Sequence, residues 1–577
     1  MDSTLSGGTP HRSPVSHYWR LFIPKLVIAL REGYGAERFQ RDAIAGITVA
    51  ILALPLSMAI AIGAGMTPDK GLVTSVVAGL LISALGGSRF QIGGPAAAFI
   101  VVIAHIVHDH GTAGLMTATF LAGLVLLIAG FAKLGTYVKY VPGPVIIGFT
   151  SGIGVLILVG QVKDFLGLRG ELPADFIPRL GALWDIRGTF NAAAFAVALG
   201  TLTVILLLKR YLPRWPGLLI AVVGASAVAA LLSLPVETIQ TRFGGLPTSL
   251  PAPTLPDLSW SRITAILPTA LTLAFLIGVE SLLSAVAADT MAGTRHRSNV
   301  EVVAQGVANM ASPLFGGLPA TGVIARTGTN ITAGAATPVS GVLHAVFVLA
   351  FMLLAAPLAS HLALPCLAAV LVSVAWRLLE WREVKAFLTR APNDDRIILV
   401  VTLLLTVLVD LNTAIATGVV LAAMLFMHRM AELPGIDLGG RSVIDEDRDD
   451  LDPDRPPTSQ IMNMELPDAI RVVQFSGPLF FGAAANVSAK LTTLETWPKV
   501  LILRMREVPL IDATAISTLE SLARTCEKHG CRIIMSGLQR QPRAALSRFG
   551  FFQHFSVTEA SNSYVALEKA KALTARG

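Results

Sequence analysis

Long apolar runs separated by short polar segments occupy residues 42 to 430. About fourteen runs can be counted, with well-defined examples at 43–64, 115–132, 145–162 and 266–288. A straight membrane-spanning helix needs roughly 20 apolar residues, and several of the runs are shorter. The pattern therefore predicts an α-helical polytopic membrane protein in which some helices are tilted or broken.

The pattern changes near residue 464, where β-branched runs alternate with amphipathic segments. Such alternation predicts a small α/β domain over residues 464–577. Asp512 stands where a helix N-cap residue belongs. The predicted strands are residues 470–477, 499–505 and 531–537, and the predicted helices are 483–494, 514–530 and 543–550.

Composition supports the division into a membrane part and a soluble part. Of the 83 charged residues, 48 lie in residues 1–430 and 35 in the last 147. With 53% hydrophobic and only 14% charged residues, the chain is neither an ordinary soluble enzyme nor disordered. The acidic, proline-containing stretch 445–457 predicts a solvated linker over 431–463, the alternative being an acidic partner-binding segment.

Residues 1–41 are predicted to be a cytoplasmic leader, because no short apolar core precedes a small-residue cleavage site. Lys and Arg residues are more frequent in the leader and the predicted inside loops than outside. Their distribution predicts that both the N-terminus and the C-terminal domain face the cytoplasm.

The sequence lacks motifs for disulfide frameworks, metal sites and phosphate-binding loops. Cys366, Cys526 and Cys531 are too few for a disulfide framework and lack the spacing of a metal site. The chain has neither a G-x-x-x-x-G-K-[ST] phosphate loop nor an H-E-x-x-H metal motif. We therefore expect no cofactor, no bound metal and no nucleic-acid partner.

Two landmarks recur at nearly the same interval. Asp42 precedes the first predicted span, and Arg262 takes the equivalent place 220 residues later. The turn Gly93-Gly94-Pro95 is followed after 223 residues by Gly316-Gly317-Leu318-Pro319. Transporters are often built from two inverted halves that hold the substrate between them. The predicted seven-span repeats cover residues 42–233 and 262–430.

The segments after the two Gly-Pro turns are too short to cross a hydrocarbon layer of about 30 Å. Residues 95–107 and 320–335 are therefore predicted to be half-helices that begin near the middle of the membrane. Their N-terminal amide groups would point at one central position and form an anion site. In the alternative interpretation, the glycines only permit close helix packing.

Two ionisable residues lie within apolar segments, where charge is costly and usually functional. We predict that Glu280 carries the coupling proton, the alternative being a neutral packing residue beside Ser281 and Ser284. Arg326, about two turns beyond Pro319, either adds positive charge to the anion site or pairs with Glu280.

The remaining ionisable candidates are weaker. Asp289 is expected at the membrane surface, and a role as a second coupling carboxylate is the alternative. His105, His108 and His110 are expected to be interfacial rather than catalytic, and no role is assigned to His344.

Four stretches together resemble the SulP family, the bacterial sulfate permease relatives of the solute carrier 26 anion transporters. They are DAIAGITVAILALPLSMAIAIGAG (42–65), QIGGPAAAF (91–99), the region 279–330 and VPLIDATAISTLESL (508–522). The last is similar to the STAS domain that follows the transporter in this family. The resemblance covers residues 20–575.

The resemblance implies a fourteen-span fold with core and gate domains, a homodimer, and elevator-like movement of the core. Glu280 would be the coupling acid, as in proton-coupled members; the sodium-coupled branch has Asp there, so H⁺ is expected rather than Na⁺. A cytoplasmic protein could bind the STAS domain. The substrate-binding residues implied are Ser57, Gly94, Pro95, Ala96, Ala97, Gly322, Ala325 and Arg326.

Two positions depart from the family pattern. Many sulfate-transporting members have Ser before the Arg of span ten, whereas this chain has Ala325. Antagonist-type STAS domains have a phosphorylatable Ser after the motif Asp, whereas this chain has Ala513, followed by Thr514. A strict sulfate preference and kinase switching at residue 513 are therefore not expected.

These observations predict a secondary active, non-enzymatic transporter of small anions: a C4-dicarboxylate, sulfate or bicarbonate. The alternatives are a nucleobase transporter of the same fold and a membrane sensor that signals through its soluble domain.

Overall fold

The chain forms two compact units, Met1–Val419 and Val420–Gly577. Residues 1–21 of the predicted leader 1–41, the acidic stretch 445–457 and the predicted helix 483–494 lie outside the residues that the structure describes. The computed structural model describes residues 22–136, 142–173, 175–212, 215–432, 435–437, 466–467, 469–479 and 497–575.

The first half of the membrane unit is helical apart from one short strand. A 3₁₀ turn at Ala97–Phe99 leads from β1 into α4. Gly111, at φ +68°, breaks α4 and leaves a first helical part of residues 97–110. The elements are α1 (Lys25–Arg31), α2 (Ala36–Gly63), α3 (Pro68–Leu85), β1 (Gly93–Pro95), α4 (Ile100–Phe131), α5 (Gly143–Leu166), α6 (Phe176–Asp185), α7 (Ala192–Tyr211), α8 (Gly217–Leu231) and α9 (Ile239–Phe243).

The second half repeats the order helix, helix, strand and short helix. In the first half these elements are α2, α3, β1 and residues 97–110, and in the second they are α10, α11, β2 and α12. The elements are α10 (Trp260–Ala292), α11 (Ser298–Leu314), β2 (Ala320–Gly322), α12 (Ile324–Thr332), α13 (Val339–Leu354), α14 (Ala356–Ala359), α15 (Leu364–Leu378), α16 (Trp381–Arg390), α17 (Asn393–Leu408) and α18 (Leu411–Glu432).

Eight helical segments in the described part of the chain are long and apolar enough to cross a membrane. Two shorter apolar helices, Gly217–Leu231 and Val339–Leu354, accompany them. The prediction of a polytopic helical membrane protein is confirmed, and the count of fourteen spans stays a prediction. The eight segments are Ala36–Gly63, Pro68–Leu85, Ala97–Phe131, Gly143–Leu166, Ala192–Tyr211, Trp260–Ala292, Leu364–Arg390 and Leu411–Arg429.

Glycines let α4 and α11 pack with their backbones almost in contact. A Cβ atom added to Gly123 would lie 2.6 Å from the backbone nitrogen of Met310. One added to Gly306 would lie 2.6 Å from the backbone nitrogen of Leu127. Small residues at such crossings are typical of membrane helix bundles.

Asp42 does not precede the first span, as the repeat analysis assumed, but lies buried within α2. Its Oδ1 accepts the backbone amides of Ala336 (2.7 Å) and Thr337 (2.9 Å). Its Oδ2 accepts the hydroxyls of Thr337 (2.5 Å) and Tyr34 (3.1 Å). Four donors explain how a carboxylate is tolerated there. Asp42 therefore fixes the turn before α13 to α2.

The C-terminal unit contains a five-stranded sheet among its described residues, in the order β3-β4-β5-β6-β7. β3 is antiparallel to β4, and the other pairs are parallel. The elements are β3 (Gly435–Asp437), β4 (Ile470–Ser476), β5 (Val500–Glu507), α19 (Ala513–Lys528), β6 (Arg532–Ser536), α20 (Arg540–Arg548), α21 (Phe551–His554), β7 (Val557–Ala560) and α22 (Ser563–Ala575).

The α/β character predicted for this unit is confirmed. Asp512 caps α19, because its Oδ1 accepts the backbone amide of Ala515 at 2.8 Å. Four elements were not predicted: β3, α21, β7 and α22. Strand β3 falls within the predicted linker 431–463 and pairs with β4, so the sheet includes residues upstream of 464.

Candidate functional site

The two predicted half-helices begin side by side because short strands join their starts. β1 and β2 pair antiparallel, with Gly93 opposite Gly322, Gly94 opposite Thr321 and Pro95 opposite Ala320. All six residues are buried. Each strand leads directly into a helix start whose first amide groups have no intrahelical acceptor. The structure therefore brings the N-termini of both segments to one junction, hereafter the half-helix junction.

Arg326, in the first turn of α12, lies at this junction and is completely buried. Its Nη2 donates to Ser57 Oγ at 2.8 Å, and its Nη1 donates to Ser75 Oγ at 3.1 Å. Ser57 lies in α2 and Ser75 in α3. A Cβ atom at Gly94 would collide with the guanidinium. The guanidinium therefore lies against the β1 backbone.

The two serines form a small ordered cluster beneath the guanidinium. The Ser57 hydroxyl donates to the Ala53 carbonyl at 2.6 Å, which uses its single proton. The Ser57 and Ser75 oxygens lie 2.9 Å apart, so Ser75 is the donor in that pair. Both serine oxygens then accept hydrogen bonds from Arg326, and these bonds fix the orientation of its guanidinium group.

Arg326 has no carboxylate within 4 Å in the described part of the chain, and its Nε is buried without a hydrogen-bond partner. A buried charge without a counter-ion is costly. The alternative that Arg326 pairs with Glu280 is not found in the structure. The arrangement leaves one positive charge at the half-helix junction available for an anion.

Side chains of neighbouring helices hold β2 in place. The Asn309 amide accepts the Ala320 amide and donates to the Ala320 carbonyl, both at 2.8 Å. Leu318 N donates to Thr74 Oγ1 at 2.6 Å, and Ser312 Oγ donates to the Leu318 carbonyl at 2.7 Å. Residues of α3 and α11 therefore fix the turn that precedes the strand.

The ladder continues at one end of the strand pair, before Gly93 and after Gly322. Val323 N donates to the Ile92 carbonyl at 2.9 Å, and Ile92 N donates to Thr327 Oγ1 at 3.1 Å. Asn330 Nδ2 donates to the Phe90 carbonyl at 2.9 Å. These bonds join residues 90–92 to α12, and the two half-helix starts are held as one assembly.

The other predicted binding residues lie around this assembly. Pro95 and Ala96 are buried at the start of the first segment, and Ala97 is half-buried. Gly322 is required because a Cβ atom there would overlap the Gln91 side chain. Ala325 is half-buried one residue before Arg326. Their role in binding stays a prediction.

Glu280 lies in α10, and its Oε2 is buried without a hydrogen-bond partner in the described part of the chain. The neighbouring hydroxyls bond elsewhere. Ser281 Oγ accepts from Gln91 Nε2 at 3.0 Å, and Ser284 Oγ lies 3.4 Å from Thr327 Oγ1. The serine partners of the packing alternative are therefore absent, and Glu280 has an oxygen free for a proton.

The weaker candidates lie apart from this network. Asp289, at the end of α10, binds the His296 ring at 2.7 Å and the Thr294 hydroxyl at 3.0 Å. His105 and His110 line a cavity of about 210 Å³ together with Asp410. These contacts are local and do not involve Arg326.

His108 and His344 complete the histidine candidates. The exposed His108 ring lies 2.9 Å from the Asp109 carboxylate. His344 is buried in α13, and neither ring nitrogen has a partner among the described residues. His344 keeps no assigned role.

Two parts of the network were missed from sequence. Ser75 was not singled out because serine is common on packed faces of membrane helices. Glu301, in α11, is completely buried, and its segment SNVEVVAQG resembles an interfacial amphipathic helix in sequence. Only its spacing from the apolar positions of α11 could have indicated burial.

Within the described residues, no cluster of three His, Cys, Asp or Glu residues could hold a metal ion.

Two family models match the chain. The Sulfate permease family model matches residues 39–402, and the STAS domain model matches residues 462–564. The first match covers more than half of the chain and includes the half-helix junction. The second includes most of the C-terminal sheet.

Curated relatives and solved structures agree with these matches. YvdB of Bacillus subtilis (strain 168), provisionally named a sulfate transporter, is 41% identical over 91% of this chain and 97% of its own length. The bicarbonate transporter BicA of a Picosynechococcus strain is 29% identical over 89% and 91%. The inward-facing murine anion transporter Slc26a9 superposes with a TM-score of 0.84 at 20% identity, covering 98% and 97%. The chain is therefore a multi-pass member of the sulfate permease family of transporters, with a C-terminal STAS domain.

Proposed function

We propose that the protein is a secondary active transporter of a small anion, which binds at the half-helix junction. The observation that carries the proposal is the buried Arg326: among the described residues it is hydrogen-bonded only to Ser57 and Ser75 and has no carboxylate partner. Two helix N-termini and one guanidinium at the same place favour a negative ligand.

The substrate class is drawn from the site and from the named relatives. Relatives are named for sulfate and for bicarbonate, and both are small oxyanions. A C4-dicarboxylate such as fumarate or succinate also fits a site with one guanidinium and backbone donors. Because Ala325 supplies no hydroxyl beside Arg326, we expect no strict preference for sulfate.

Coupling and movement complete the proposal. Glu280 carries a proton, since its Oε2 is buried and has no hydrogen-bond partner among the residues that the structure describes, so symport with H⁺ is expected rather than with Na⁺. The assembly of α2, α3, β1, β2 and α12 moves as a body in an elevator-type cycle. The protein works as a homodimer in a bacterial inner membrane, with the STAS domain in the cytoplasm, where it can bind a regulatory protein.

The test is uptake into liposomes that contain the purified full-length protein. Labelled sulfate, bicarbonate, fumarate and succinate are each supplied with and without an inward proton gradient. We expect at least one anion to accumulate, and the gradient to increase its accumulation. Glu280→Gln should retain exchange but lose gradient-driven accumulation, because the amide cannot carry the proton.

Two outcomes would contradict the proposal. If folded wild-type protein takes up none of the four anions, the sensor alternative is favoured. Uptake of uracil or adenine in their place would favour the nucleobase alternative. Glu383→Gln, an exposed substitution in α16, is the control that should behave like wild type.

A further inference from the structure

Glu301, a further buried carboxylate of the membrane unit, is not used by the proposed transport mechanism. Its side chain is completely buried in α11. No Lys, Arg or His side chain lies within 4 Å of it in the part of the chain that the structure describes. Such a carboxylate is tolerated only if hydrogen-bond donors surround it.

The donors come from two directions. Oε2 accepts the backbone amides of Gly87 at 2.9 Å and Ser88 at 3.1 Å. Oε1 accepts Gln305 Nε2 at 3.0 Å and makes a longer 3.5 Å contact with the Ser281 hydroxyl. One side chain therefore contacts the start of the segment that leads to β1, and also α10.

The segment from Gly87 to Gln91 determines where β1 lies. Glu301 holds its first two amides. At its other end, Gln91 Nε2 donates to Ser281 Oγ (3.0 Å) and to the Ser281 carbonyl (3.1 Å). Strand β1 begins two residues after Gln91. Through Ser281, Glu301 is also linked to the helical turn that carries Glu280.

We propose that Glu301 is a positioning residue of the transporter. It fixes the segment 87–91, and with it β1 and the start of the first half-helix, relative to α10. This proposal rests on the proposed anion site. It adds that the geometry of the half-helix junction depends on a carboxylate that touches neither Arg326 nor the anion.

The side chain acts through hydrogen-bond geometry, so an isosteric amide should replace it. In Glu301→Gln, the amide oxygen can still accept the Gly87 and Ser88 amides. The new NH₂ group can donate to Gln305 Oε1, which has no partner in the structure. Glu301→Ala removes every acceptor and leaves two buried amides unsatisfied.

The test measures uptake kinetics in the liposome assay, for the anion that wild type transports. We expect Glu301→Ala to raise the anion concentration for half-maximal uptake at least tenfold, with a smaller effect on the maximal rate per folded protein. Glu301→Gln should stay within about threefold of wild type and keep its pH profile. Ser281→Ala removes the contact between Glu301 and α10 and one of the two Gln91 bonds, while the Gln91 bond to the Ser281 carbonyl remains, and it should give a rise of a few-fold. Glu383→Ala is the exposed control.

Hydrogen exchange supplies a readout that does not depend on transport. We expect amide exchange in residues 87–91 to increase in Glu301→Ala and to remain as in wild type in Glu301→Gln. This holds even if wild type transports none of the tested anions, so failure of the proposed function is distinguishable from failure of this proposal. If Glu301→Ala does not fold, Ser281→Ala tests the proposal alone.

Three results would overturn the proposal. One is a folded Glu301→Ala protein with wild-type half-saturation and unchanged exchange at 87–91. Another is loss of proton dependence in Glu301→Gln, which would make Glu301 a proton carrier. The third is unchanged uptake and exchange in Ser281→Ala.

Discussion

Arg326 supplies the positive charge of the proposed anion site in the membrane unit. Its guanidinium is buried, is directed by two serine hydroxyls, and faces the backbone of the opposite half-helix start. Arginine suits this task because it stays charged and presents several donors in a fixed plane. The serines do not neutralise the charge, so they orient it without competing with an anion.

Removal of the Ser75 hydroxyl tests this orienting role. In Ser75→Ala, Nη1 of Arg326 loses its partner while Ser57 still holds Nη2. Hydrogen bonds to charged groups contribute about 1.5–3 kcal/mol, so we expect anion affinity to fall about tenfold. Equilibrium binding by calorimetry measures the effect. Thr203→Ala is the control, since that exposed hydroxyl donates to the Leu199 carbonyl of its own helix. Wild-type affinity in Ser75→Ala would remove Ser75 from the site.

At the scale of elements, the junction depends on two very short strands. Their pairing is unusual within a helical bundle, but it satisfies backbone groups that would otherwise be unpaired inside the membrane. Side chains from α3 and α11 hold the turn before β2. The Gln91 side chain lies directly against the Gly322 backbone. Glycine is needed at residue 322 because of that contact, not because of backbone conformation.

Gly322→Ala should disturb the strand pair specifically. The added methyl group overlaps the Gln91 side chain, which must leave Ser281 or push β2 away from β1. Overpacking of this kind costs about 1–3 kcal/mol, so we expect a lower melting temperature in detergent and weaker anion binding. Gly224→Ala, in α8 with open space around the added methyl, should change neither. A variant at 322 that melts and binds like wild type would show that the strand pair tolerates displacement.

Much of this element order could be predicted from sequence. Apolar runs and Gly-Pro turns are local signals, so the half-helices and their shared junction were predictable. The bonds of Arg326 were not, because Ser57 and Ser75 lie more than 250 positions away: Ser57 was implied only by the family resemblance, and Ser75 looks like a packing residue. Glu301 was missed for the same reason: its donors are backbone amides of a distant turn. In the C-terminal unit, β7 was not predicted because it is short and only partly apolar. Helix α22, which follows it, was not predicted either.

At the scale of the whole molecule, the chain combines a membrane unit, in which we propose the anion site, with a C-terminal unit built around a separate core. The internal repeat accounts for the position of the proposed site in the membrane unit. Two halves with the same order of elements each contribute one helix start, and neither half alone could surround an anion. Family membership is established by motifs spread over both units.

The central claim is that the anion binds at the half-helix junction through Arg326, and calorimetric titration of the purified full-length protein with the transported anion tests it most directly. Wild type should bind, and Arg326→Ala should lose at least about tenfold in affinity, since hydrogen bonds to a charged group are removed. The exposed Arg382→Ala should bind like wild type. Unchanged affinity in a folded Arg326→Ala protein would contradict the account.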